Sequence, residues 1–205
     1  MNLSKYLEDA VNQVASLPGV GRRTALRYVL DLVKRDREEI ERFVSAISNL
    51  KEKLTHCQVC HNISDAAICH ICSNPQRDKS IICVVEDMRD ILAIESTHQY
   101  RGIYHVLGGK ISPMDGIGPS DLNIGTLIPR LAEAELKEII LALSPTMEGD
   151  TTAYFLYKKL GSAPDIKLTT LSRGVSVGDE LQYADELTLG RSIVQRLLYE
   201  KAIEG

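Results

Sequence analysis

The chain has 205 residues, long enough for one ordinary domain or two small ones around a stapled module. Its 24 basic residues against 28 acidic ones argue against a protein that coats polyanions over its whole surface. No long apolar run could span a membrane, and Met1 to Asp9 carries no apolar leader, so a reduced, cytoplasmic protein is expected.

The average charge hides an asymmetry. Met1 to His56 carries ten Lys and Arg against eight Asp and Glu, and no acid falls between Asp9 and Asp31, where Arg22, Arg23 and Arg27 lie. That interval holds Leu17-Pro18-Gly19-Val20-Gly21-Arg22-Arg23-Thr24-Ala25. Pro18 disfavours helix at Leu17 and the glycines permit a tight turn, so one amphipathic stretch should stop there and a new helix begin near Arg22. In the new helix Ala25, Leu26, Val29, Leu30 and Val33 recur at helical spacing and are expected to be its buried face, with Arg23, Arg27 and Lys34 on a neighbouring face. Bare backbone N–H groups at a helix N-terminus, flanked by arginines, bind phosphate without reading bases. The pattern resembles a helix-hairpin-helix motif, and Gly19, Gly21, Arg22, Arg23 and Arg27 are its candidate DNA contacts. From Arg37 to Leu54, Ile40, Phe43, Val44, Ile47 and Leu50 again keep helical spacing, and the intervening charges read as a solvated face.

Next come two CxxC pairs, Cys57-Gln-Val-Cys60 and Cys69-His-Ile-Cys72, eight residues apart in a polar stretch. Such pairs can fold back so that four thiolates meet around Zn²⁺, a closed structural site. Too few apolar residues surround them to build a core, so metal is expected to supply most of the folding free energy of the segment. A disulfide framework fits less well, because the fifth cysteine is odd; Cys83, in the run Ile81 to Val85, reads as a small core residue.

Beyond the cysteines, strand-like and helix-like stretches alternate. Ser80 to Glu86, Ile103 to Leu107, Glu138 to Leu143 and Lys167 to Leu171 read as strands, and Met88 to Glu95, Thr126 to Ala134 and Thr151 to Leu160 as helices. Such alternation predicts a small, largely parallel α/β sheet. Glu86 closes the first strand and Glu148-Gly149-Asp150 follows the third, a placement that can converge three carboxylates on Mg²⁺. This resembles the Toprim fold, whose signature is a glutamate after one strand and Asp-x-Asp after another. Glu148 departs from that signature: being longer than aspartate, it would move a bound ion, so the acids are expected to face solvent or a partner. Gly108-Gly109-Lys110-Ile111 is not a P-loop, since Tyr104 stands in place of the first glycine and Ile111 in place of the hydroxyl residue. Asp185 to Glu200, with Leu189, Ile193, Val194, Leu197 and Leu198 at helical spacing, is expected to pack on a neighbour or on the sheet.

The order of parts resembles the RecR family of bacterial recombination mediators over essentially the whole chain. That order is α/β multidomain: a helix-hairpin-helix (1–55), a small four-cysteine zinc finger (56–76), a Toprim-like domain (77–174) and a C-terminal helical extension (175–205). Further matches are Tyr104 to Pro119, Ser144 to Thr151, Ser172 to Gly178 and Tyr183 to Leu189. The resemblance implies a non-catalytic clamp built as a dimer or tetramer ring around DNA, without sequence preference. It also implies action with RecO, and in many bacteria RecF, to load RecA onto gapped single-stranded DNA. By the same resemblance Arg23 and Arg27 would face the hole of the ring, and Glu86, Glu148 and Asp150 would lie on the surface used toward RecO. The alternative is a Mg²⁺-dependent Toprim nuclease or phosphoryl-transfer enzyme centred on those three acids.

Overall fold

The computed structural model describes residues 4–133, 135–161, 166–175, 178 and 180–196. The chain divides into two compact units, Met1–Leu54 and Thr55–Gly205.

The first unit is helical: α1 (Lys5–Ala15), α2 (Arg22–Lys34) and α3 (Arg37–Lys53). Its core is thin. Val11, Ala25 and Val29 are buried, with Leu7, Ala10, Val14, Val20 and Leu26 packed around them. The stripe expected along α2 is therefore covered only at its first two turns, and Leu30 and Val33 stay 44% and 69% exposed. α3 is well begun, with the Asp36 side chain accepting from the Glu39 N–H at 2.8 Å. It buries none of its residues, and Phe43, Val44, Ile47 and Leu50 are exposed.

The second unit opens with a two-rung antiparallel hairpin, β1 (Thr55–His56) and β2 (Ile63–Ser64), and a single helical turn, α4 (His70–Ser73). A four-stranded sheet follows: β3 (Asp78–Val85), β4 (Gly102–Val106), β5 (Glu138–Leu141) and β6 (Lys167–Thr170). The order is β4-β3-β5-β6 and every pairing is parallel, as the alternation of apolar runs predicts. The crossover helices include α5 (Met88–Ser96), α6 (Ile124–Leu127) and α7 (Met147–Leu160). The expected helix 126–134 is broken: α6 ends at Leu127, and a 3₁₀ turn with Pro129 in its opening positions runs from Ile128 to Ala132.

Because strand side chains alternate, the sheet feeds two cores. Ile82, Val84, Ile139 and Leu141 point to one, shared with Leu107, Leu127, Leu156 and Leu160. Cys83, Val85, Tyr104 and Val106 point to the other, which is roofed by Ile91 of α5 and by Cys57, Cys60, Cys69 and Ile71. Cys83 is the small core residue expected, and burial pushes its thiol up to about 12. The cysteine segment is thus a layer of this unit, and metal is not its sole support. One backbone bond ties it to the sheet, the Val106 N–H donating to the Cys60 carbonyl at 2.8 Å. A second tie lies at its exit. Arg77 pairs with Glu95 of α5 and donates to the Tyr100 and Gly102 carbonyls, while the Tyr104 hydroxyl donates to Glu95 at 2.6 Å.

The C-terminal segment carries α8 (Glu186–Val194), started by the Asp185 side chain accepting from the Thr188 N–H at 2.9 Å. α8 runs to Val194; the expected stretch to Glu200 continues into 197–200, Leu197 and Leu198 among them, which lie outside the described residues.

Candidate functional site

The hairpin turn is built as its glycines require. Gly19 has φ +78°, Val20 donates to the Leu17 carbonyl at 3.1 Å, and a side chain at Gly19 would be strained there. Gly21 caps α2 without a side chain, so no side chain at that position satisfies the first N–H groups of α2. The three arginines part company at this point. Arg22 turns back on α1, donating to Asn12 at 2.7 Å and to Glu8 at 3.2 Å. Arg23 and Arg27 are exposed and form no ion pair among the described residues; Arg27 lies over the Tyr28 ring at 5.4 Å.

The four cysteines meet. Their sulfurs all lie within 4.8 Å of one another, with Cys60 and Cys69 Sγ 3.6 Å apart. A tetrahedron with bonds of ~2.3 Å has edges of ~3.8 Å, so the set fits a zinc ion. The knuckle is shaped for it. His61, directly after Cys60, adopts φ +62°, and the Cys69 N–H donates to Cys57 Sγ at 3.3 Å. Crowding splits the thiols. A hydrogen bond from Cys72 lowers Cys60, while Cys72 is pushed up by that same bond and by burial, and Cys69 by burial. A bound Zn²⁺ would let all four be thiolates at once. His61, beside them in sequence, is engaged with Thr126 Oγ1 at 2.8 Å.

The carboxylates expected near Mg²⁺ are otherwise employed. Glu86 accepts from the Ser144 N–H at 2.8 Å and has Lys110 Nζ at 3.9 Å. Glu148-Gly149-Asp150, expected to lie ahead of the helix 151–160, is instead in the first turn of α7, because the Thr146 side chain caps it by accepting from the Gly149 N–H at 3.2 Å. Hydrogen bonds from its own N–H and from Thr146 hold the Glu148 carboxyl below the usual range. Asp150 is gripped by Arg173, whose Nη1 donates at 3.2 Å, and has Arg191 at 3.8 Å; the Arg173 hydrogen bond holds its carboxyl low. Among the described residues the cysteines are the group of possible ligands that comes together; Glu86, Glu148 and Asp150 form no such group. Arg173, Arg191 and Lys110 were not among the candidate residues, and nothing local in the sequence marks these pairings, which join positions 23, 41 and 24 residues apart.

Four family models match in chain order: the RecR helix-hairpin-helix over residues 7–51, the RecR four-cysteine zinc finger domain over 54–74, the Toprim domain over 80–172 and the RecR C-terminal region over 174–196. The recombination protein RecR of Bacteroides thetaiotaomicron is 58% identical over 196 residues, covering 96% of this chain and 95% of that one. Those of Porphyromonas gingivalis and Flavobacterium johnsoniae are each 53% identical, over 98% of this chain and 97% and 98% of theirs. Among the described residues no helix is long and apolar enough to cross a membrane. With the RecR family models matched in order along the chain and relatives more than 50% identical over nearly its whole length, the chain belongs to the RecR family.

Proposed function

We propose that this chain is a non-catalytic DNA clamp for recombination and repair, acting in the cytoplasm as a dimer or tetramer ring. It works with a RecO-type partner, and in many bacteria RecF, to load RecA onto gapped single-stranded DNA. The observation that carries this reading is the hairpin: a helix N-terminus without a side-chain cap behind Gly19 and Gly21, with Arg23 and Arg27 exposed beside it. These groups suit phosphates and are blind to sequence, so closure of a ring would offset weak charge-based affinity. Arg22 holds the hairpin to α1 so that its neighbours can reach DNA. Cys57, Cys60, Cys69 and Cys72 hold a structural zinc ion. Glu86, Glu148 and Asp150 form a surface for a partner, and their present hydrogen bonds favour that role over chemistry.

The test is one incubation read two ways. Purified protein is mixed with an end-labelled gapped duplex and Mg²⁺ or Mn²⁺, then read by fluorescence anisotropy and on a denaturing gel, beside Arg23→Ala/Arg27→Ala and Glu148→Gln/Asp150→Asn variants. Binding that weakens in the arginine variant, with strands intact throughout, is expected. Cutting by the wild type that is lost in the carboxylate variant would replace this reading with a Mg²⁺-dependent Toprim nuclease.

A further inference from the structure

We propose that the Lys110 ammonium stands where a divalent cation would meet Glu86, just past the end of β3. The chain supplies its own cation there, and Mg²⁺ or Mn²⁺ takes that place only when the lysine is removed. The two oxygens of Glu86 are divided: Oε1 accepts from the Ser144 N–H at 2.8 Å, and Oε2 faces Lys110 Nζ at 3.9 Å. The Glu86 side chain is only 14% exposed, so its charge needs a counter-charge close by. The same ammonium donates to Thr146 Oγ1 at 3.3 Å, on the cap of α7. After the hydrogen bonds from its own N–H and from Thr146, the Lys110 charge is a further cause that holds the Glu148 carboxyl low. Lys110 therefore acts on both places from which the Toprim-like acids come.

The loop that delivers it is pinned on both sides. Gly108 turns the chain at φ +85°, and its N–H donates to the Glu86 carbonyl at 2.9 Å. Beyond the lysine, the Ile111 N–H donates to the buried Thr152 Oγ1 of α7 at 2.9 Å. With its backbone fixed at both neighbours, the Lys110 side chain reaches Glu86 at a reduced cost in entropy. The glycine-lysine run that fails as a phosphate loop has this use instead. Mg²⁺ asks for a full octahedron of oxygens, and an ammonium does not. That suits a site where Asp150 is held by Arg173 and the three acids form no group of ligands among the described residues.

This goes beyond the clamp reading and is tested without DNA, so either can fail alone. The zinc-loaded full chain is titrated with Mn²⁺, followed by electron paramagnetic resonance, as wild type, Lys110→Met, Lys110→Arg and Lys110→Met/Glu86→Gln. Mg²⁺ and Mn²⁺ can be held by one or two carboxylates plus waters, so losing the ammonium leaves enough. Lys110→Met should bind Mn²⁺ about tenfold or more tightly than wild type, Lys110→Arg should match wild type, and Glu86→Gln should remove the gain. Equal binding by wild type and Lys110→Met overturns the proposal, as does a gain that survives Glu86→Gln. A further measurement needs no variant. In the nitrogen-15 NMR spectrum of the wild type, Mn²⁺ should leave the Gly108 and Ser144 amide signals sharp; selective broadening of both would place a metal beside Glu86 and overturn the proposal even if Lys110→Met folds poorly.

Discussion

The hairpin unit and the sheet unit hold themselves together by different means. Among the described residues the first buries three apolar side chains and leaves apolar stripes of α2 and α3 uncovered. The second has two cores on opposite faces of a parallel sheet and a four-thiol centre built into the roof of one. The contrast separates binding from stability. On the proposed reading, DNA-contacting groups can sit on a thin unit because phosphate contact needs exposed charge, while the parallel sheet needs both faces covered.

Removing the metal should break the comparison hardest. Cys57→Ser or Cys72→Ser should release zinc and abolish the thermal transition of the whole sheet unit, since those cysteines roof the core shared with Val85 and Tyr104. Structural zinc binding contributes about 10 kcal/mol or more of apparent free energy in small sites. Differential scanning calorimetry with zinc analysis decides: a metal-free variant that melts like wild type contradicts the account.

Arg77→Ala tests the second tie. Its side chain is 16% exposed and pairs with Glu95, so its loss should destabilise the sheet unit by about 3 kcal/mol, measured by urea denaturation, and leave the hairpin unit unchanged. The Glu95 carboxyl is held low, first by the Arg77 hydrogen bond and also by Tyr104. Its folded value lies below its unfolded one, so its contribution is complete above the ordinary glutamate range, near pH 4–5, and lost as pH falls through the lowered value. Glu95→Gln should flatten that part of the acid-unfolding curve.

Arg23→Ala/Arg27→Ala should weaken DNA binding about tenfold or more at low salt and reduce the log–log salt slope by about one to two, with no change in melting temperature. An unchanged slope would remove the hairpin from the DNA site. Smallest of all, Ile47→Ser on α3 should alter stability by ~0.5 kcal/mol or less, because its side chain is already 55% exposed; a larger loss in calorimetry would mean that α3 is covered in solution.

What could be read from the sequence was mostly local. Two CxxC pairs eight residues apart announce their own meeting, and strands buried on both faces show as unbroken apolar runs. Periodicity also marks the apolar side of α2. It does not say what covers that side, which is why Leu30 and Val33 were expected to be buried and are not. The carboxylates show a second limit. Glu148 and Asp150 look like a loop pair until Thr146 is recognised as a helix cap. The fate of Asp150 depends on arginines 23 and 41 residues away, and such pairings leave no trace in a local window.

The bond from Val106 to the Cys60 carbonyl has a consequence for solubility. β4 is an outer strand of the sheet, and an outer strand with unpaired N–H and C=O groups is a template on which other chains add. The cysteine knuckle closes part of that flank, so it works as an edge guard as well as a roof. Zinc starvation of this protein should then be visible first as aggregate, before any enzyme-like assay or DNA titration registers a deficit.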